Sequence, residues 1–170
     1  MKALAILILS FALSNGIQGQ EKYLDTFPLK FGKVTYSAVV QTEGISKDEL
    51  YKRAKRWLAK NCEIIKLDDK DIIVGQGVFI MKPPILATFN QIYVWQIITI
   101  QFKDGRYKYD ISDFRIKAYS VIDGSSSLID DPIENHHAIM DNQIKKIDPL
   151  VKDLILSLDK AMKTPIDDNW

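Results

Sequence analysis

Apolar and polar residues alternate between Phe89 and Phe114, on both sides of Asp104-Gly105. Asp-Gly favours a two-residue type I′ turn, and a turn of fixed length fixes the register of its strands. The pattern predicts strands over 89–103 and 106–114, with Phe102 opposite Tyr107, Ile100 opposite Tyr109 and Ile98 opposite Ile111. Gln101–Lys108, Thr99–Asp110 and Ile97–Ser112 then share the other face. One apolar face and one mostly polar face suit a half-buried antiparallel sheet, and a one-residue slip would expose the whole apolar set.

Similar patterning places the other elements. Residues 34–42 (VTYSAVVQT) are rich in β-branched and aromatic types and read as a strand that Gly44 ends. Ser46-Lys47-Asp48-Glu49 is a capping box. The helix it opens runs to Asn61, with Leu50, Ala54, Trp57 and Leu58 on one face. A short apolar strand over 63–67, a polar turn over 68–71 and a returning strand over 72–80 follow. Gly75 and Gly77 inside that strand predict a bulge or a close backbone approach. Pro83-Pro84 breaks the chain before the hairpin, whose second strand extends to Val121. Residues 123–127 (DGSSS) read as a loop, and a helical segment starts near Pro132. Asp148-Pro149 predicts either N-cap and N1 of a last helix or a kink in a longer one. Leu150, Val151, Leu154, Ile155, Leu158 and Met162 give that helix a broad apolar stripe, and Pro165 ends it.

The first residues follow a different pattern. Lys2 precedes an apolar run over 3–13 (ALAILILSFAL), and small residues follow at Ser14, Gly16 and Gly19. A run of this length suits a cleavable export signal and is short for a membrane span. Cleavage is expected after Gly19, with Gly16 as the other site. The organisation expected is thus a signal peptide over 1–19, an extended arm over 20–29, one α+β domain over 30–164 and a tail over 165–170. No Cys follows the apolar run, so a lipid anchor is not expected, and no later stretch is apolar enough for membrane insertion. The product is expected in a periplasm or outside the cell.

Strand, helix, four antiparallel strands and a helical end make an α+β two-layer domain: an antiparallel sheet in β-α-β4-α order, with helices packed on one face. Three stretches within it, SKDELYKRAKRWLAKN (46–61), IVGQGV (73–78) and VWQIITIQFKDGRYKYDISDF (94–114), together resemble a family of exported bacterial domains of unknown function with a TATA-box-binding-protein-like (TBP-like) fold. The resemblance covers residues 34–118. It implies the same sheet-and-helix architecture and brings no catalytic residue. It implies no DNA binding either, because fold does not fix function.

Composition narrows the chemistry. The chain has 170 residues, of which 46% are hydrophobic and 26% charged, ordinary values for one globular domain. It holds 23 basic and 22 acidic residues, and Lys2 lies in the leader, so the remainder is neutral. Such a chain has no global field to gather nucleic acid. Lys52, Arg56 and Lys60 line one helix face, with Arg53 and Lys55 beside them, as an anion-binding surface or as a solvated face. Cys62 is the sole cysteine, so no internal disulfide forms, and it reads as a buried apolar residue, a nucleophile or an intermolecular bridge. His136 and His137 are the only histidines. On a helix, Glu134, His137 and Asp141 would share a face and could hold a metal, although acids in a first turn are also stabilised by the helix dipole. No Gly-x-Ser-x-Gly elbow, phosphate loop or calcium loop is present.

No catalytic, cofactor-binding or metal residue is assigned, and no cofactor is implied. The expectation is a non-catalytic binding or interaction module for a protein or small-molecule partner. Its contact surface would be the sheet face without helices, including Trp95 and Ile97. The alternatives are a carrier of a small hydrophobic ligand, with a cavity under Tyr107, Tyr109 and Leu154, and a hydrolase or metalloenzyme using Glu134, His137 and Asp141.

Overall fold

A computed structural model describes residues 26–83, 89–122, 125–135 and 141–166. The leader, residues 1–19, lies outside the described residues. A two-residue ladder pairs β1 (Leu29–Lys30) with β2 (Lys33–Val34). The main sheet comprises β3 (Tyr36–Gln41), β4 (Ile64–Asp68), β5 (Ile72–Met81), β6 (Phe89–Lys103), β7 (Arg106–Ile122) and β8 (Ser125–Pro132). It is antiparallel in the order β3-β7-β6-β5-β4, and β8 also pairs with β7. Helices α1 (Lys47–Asn61), α2 (Asp141–Ile144) and α3 (Ile147–Lys163) complete the described elements, with a 3-10 turn over Ile133–Asn135. The α+β class and the helix-backed antiparallel sheet are as the sequence predicts. No helix among the described residues is long and apolar enough to cross a membrane.

The Asp104-Gly105 hairpin has the register its turn dictates. Phe102 pairs with Tyr107, Ile100 with Tyr109 and Ile98 with Ile111. All six side chains are buried, and they meet Leu50, Ala54, Trp57 and Leu58 of α1 and Val151, Leu154, Leu158 and Met162 of α3 in one core. The register then shifts. Ile97 pairs with Ser112, but Trp95 pairs with Arg115, so β7 carries one extra residue opposite Gln96. Asp113 sits there at φ 51, in the left-handed region that Asp tolerates better than most residues. Inward positions on β7 consequently change from Tyr107, Tyr109 and Ile111 to Phe114, Ile116 and Ala118.

Three sequence expectations are corrected. Residues 125–127 form the start of β8 rather than a loop, with Ile122 paired to Ser125 and Ser120 to Ser127. Their side chains carry little strand signal, and the ladder to β7 supplies the order. The main sheet therefore has six strands. Asp148 is not the N-cap of the last helix, because Lys146 holds that position without a side-chain bond. The Asp148 carboxylate instead accepts from the Tyr36 hydroxyl at 2.8 Å and pairs with Lys152 at 2.7 Å. Pro149 falls in the first turn of α3, where its missing N–H breaks no helical bond, so the helix is neither kinked nor broken there.

At α1 the Ser46 hydroxyl accepts from the Glu49 N–H at 3.3 Å, which is half of a capping box. Glu49 turns to Arg53 at 2.7 Å rather than back to the cap. Ser46→Ala should lower stability by about 1 kcal/mol. Urea denaturation would read this as a lower midpoint at unchanged slope, and an unchanged midpoint would show that the cap contributes nothing.

Candidate functional site

Helix α1 is amphipathic with an inversion: its buried face includes a guanidinium. Arg53 lies among Leu50, Ala54, Trp57 and Leu58. A buried charge needs partners. Arg53 Nε donates to Glu49 Oε1 at 2.7 Å, and Nη1 donates to the Met162 carbonyl of α3 at 2.7 Å. One turn along, Trp57 Nε1 donates to Ser157 Oγ at 2.7 Å. Residues 53 and 57 of one helix thus meet 162 and 157 of the other, which makes the pair antiparallel.

Beside these bonds the helices part, leaving a cleft of about 410 Å³. Trp57, Ala161, Pro165 and Ile166 give it an apolar lining. Arg53, Arg56, Lys60 and Lys160 give it positive charge, and among the described residues no carboxylate lines it. Lys55 and Lys163 nearby are neutralised by Asp68 at 2.6 Å and Asp159 at 2.7 Å. Among the described residues, Arg56, Lys60 and Lys160 form no ion pair. The i, i+4 series Lys52, Arg56, Lys60 disfavours the helix by about 0.2–0.5 kcal/mol per like-charge pair. Helix dipoles favour Lys60 and Lys160, each in the last turn of its helix, but give Arg56 no support. The cleft is therefore a concave cationic surface with an apolar lining, suited to hold an anion.

Sequence reasoning named the α1 half of this site, Arg53, Arg56 and Lys60, but not Ser157, Lys160 and Ala161 of α3 or Thr164, its C-cap. Those four flank the apolar stripe of α3, and only the antiparallel docking of the helices brings them to α1.

The other sequence-derived positions fall elsewhere. The Glu134 carboxylate accepts from the Val34 N–H at 2.8 Å, fastening β2 to the turn after β8. His136 and His137 lie outside the described residues, as does the side chain of Asp141. Among the described residues no three His, Cys, Asp or Glu gather as a metal site. Asp130 pairs with Arg115 at 2.8 Å and Lys117 at 3.2 Å, and the hydrogen bond from Arg115 is the main reason its carboxyl sits below the usual value. Cys62 packs beneath β5, and burial pushes its thiol up to about 11, so little nucleophilic thiolate exists near neutrality.

Tyr107, Tyr109 and Leu154 are buried in the core, and the α1–α3 cleft does not open between them. Burial, with Asp159 close by, holds the Tyr107 phenol above its ordinary value. Trp95 and Ile97 do lie on the helix-free sheet face, half-buried. Lys117 Nζ stands 5.8 Å from the Trp95 ring centroid, so the chain's own cation already covers part of that surface.

Two solved structures share this architecture. A TBP-like protein from Parabacteroides distasonis ATCC 8503 is 18% identical and matches with a TM-score of 0.54, over 78% of this chain and 96% of its own. A DUF4468 family protein from Bacteroides ovatus ATCC 8483 is also 18% identical and matches with a TM-score of 0.55, over 85% of this chain and 94% of its own. At that identity the likeness shows the fold alone. No curated protein matches the chain. Residues 36–117 match the model of a domain of unknown function (DUF4468) with TBP-like fold. That span runs from β3 through α1 into β7, and over it the chain is similar to the DUF4468 family with its TBP-like fold.

Proposed function

We propose that this chain is an exported, non-catalytic binding module whose contact surface is the α1–α3 cleft. The observation that carries this reading is the convergence of Arg56, Lys60 and Lys160 on an apolar-lined cleft that no carboxylate of the described residues lines. Lys2 and the apolar run over 3–13 support export. The helix-free sheet face ranks second as a contact surface, because Lys117 shares the Trp95 ring.

Native mass spectrometry of the protein from its own host tests both halves of the reading. Ala161 lines the cleft, so Ala161→Trp fills it while leaving the buried α3 stripe intact. The parent should carry a non-covalent adduct that Ala161→Trp loses. Its mass should correspond to a chain beginning after Gly19 or Gly16. A parent without an adduct, or an adduct retained by the variant, would overturn the binding site. An intact Met1 in cytosolic fractions would overturn export.

A further inference from the structure

We infer that the α1–α3 cleft takes a small amphipathic organic anion, a carboxylate carried on a flat apolar body; this rests on the reading of that cleft as the binding surface. The cleft, at about 410 Å³, is of the size that holds one small molecule. Two requirements act on its occupant. Arg56, Lys60 and Lys160 are exposed cations without an ion pair among the described residues, so the cleft attracts negative charge, while Arg53 is already committed to Glu49 and the Met162 carbonyl. Trp57, Ala161 and Ile166 offer apolar surface that a bare hydrated anion would leave wet. A neutral apolar ligand meets only the second requirement and inorganic phosphate only the first.

The donors specify the headgroup further. A guanidinium offers paired N–H groups that match the two oxygens of a carboxylate, and Arg56 carries the guanidinium without an ion pair. Lys60 and Lys160 add mobile point charges on either side. Ser157 Oγ accepts from Trp57 and keeps its own proton to donate. The sequence continues beyond Ile166 with Asp167 and Asp168, so the chain's own carboxylates are a competing anion source that a test must separate.

Titration of the isotopically labelled full chain with 2-naphthoate, 2-naphthylmethanol and inorganic phosphate, followed by amide NMR, provides that test. Naphthoate should move the signals of residues 53–60 and 157–166, and bind about tenfold or more tightly than the alcohol or phosphate. Lys60→Glu with Lys160→Glu should weaken naphthoate by about tenfold or more, with the protein still folded and only the small drop in melting midpoint that acids in the last turn of a helix bring. Raised salt should weaken it too. Equal binding of alcohol and naphthoate in the cleft would overturn the anion assignment but leave the cleft as a binding surface. Phosphate binding as tightly as naphthoate would overturn the amphipathic assignment. Naphthoate binding only after Asp167→Asn with Asp168→Asn would make the chain's own tail the occupant and overturn an external ligand. No shift in the cleft with any probe, in the parent or that double variant, would overturn both this inference and the binding-surface reading.

Discussion

Gly75→Val is expected to lower the stability of the domain by about 3 kcal/mol, at the upper end of what overpacking a filled core does. A Cβ built on Gly75 would stand 2.6 Å from Cys62 Sγ, 3.2 Å from Cys62 Cβ and 3.0 Å from Leu58 Cδ2. Cys62 ends α1, and its N–H still donates to the Leu58 carbonyl at 2.8 Å, so it cannot withdraw without loosening the last turn. Leu58 is fully buried. The helix therefore lies against bare backbone of β5, and a branched side chain would push it off the sheet. Urea denaturation reads the loss. The cause is separated by a cycle with Cys62→Ala, which removes the nearest obstructing atom. The pair should recover about 1 kcal/mol or more relative to the sum of the single changes, as neighbours in contact do. Strict additivity would show that Val acts through β5 rather than through the helix contact. The same construction at Gly77 meets Gln96 Nε2 at 2.8 Å and the Asn61 carbonyl at 3.2 Å, so the close approach extends along two inward positions of the strand.

That contact was legible in the sequence as glycine inside an apolar strand, although the two explanations it allowed were not equal. The close approach is made by β5 itself, whereas the bulge beside it has its extra residue on the partner strand: Gly75 pairs with Ile65 and Val74 with Leu67, so the β4–β5 register shifts on β4 next to Gly75. The hairpin was legible for a stronger reason. Turn chemistry at Asp104-Gly105 and alternation over the flanking strands are independent signals, and both demand one register. A second Asp-Gly pair, Asp123-Gly124, separates Ile122 from Ser125, which pair as the ends of β7 and β8. It carried the same turn signal, but the serines that follow hide the second strand. The helix starts divide along similar lines. Ser46 announces α1 through a local bond, whereas α3 begins at a residue without a side-chain cap while its Asp148 serves Tyr36, 112 residues away. The cleft was half legible for this reason. Its α1 cations are a local series, and its α3 side exists only once Arg53 and Trp57 have fixed the antiparallel helix pair.

Phe114→Ala is expected to have the largest effect of the substitutions considered, about 3–5 kcal/mol, whereas deletion of its neighbour Asp113 should leave the core face intact. The β6–β7 ladder advances two residues on β6, from Trp95 to Ile97, while β7 advances three, from Arg115 to Ser112. Without Asp113, Phe114 would follow Ser112 directly, opposite Gln96 and two positions after Ile111. Strict alternation would then keep Tyr107, Tyr109, Ile111, Phe114, Ile116 and Ala118 on one face. The bulge also lies between two ladders. β3 pairs with β7 up to Ile111, and β8 pairs from Arg115 onward, so removal of the extra residue breaks neither pairing. The deletion should stay within about 1 kcal/mol of the parent, since it removes a residue held at φ 51 and loses only the exposed contact with Lys33 at 3.4 Å. Phe114 has no such freedom. It is 1% exposed, and its ring meets Tyr36 edge-on with centroids 6.0 Å apart. A domain of this size has about 5–15 kcal/mol in total, so the cavity left by Phe114→Ala removes a large share of it. Urea denaturation reads both changes as shifts of the midpoint. A Phe114→Ala variant within about 1 kcal/mol of the parent would show that the site collapses around the smaller side chain. A deletion variant as unstable as Phe114→Ala would show that β7 needs the local twist of its extra residue and not only the alternation of its faces.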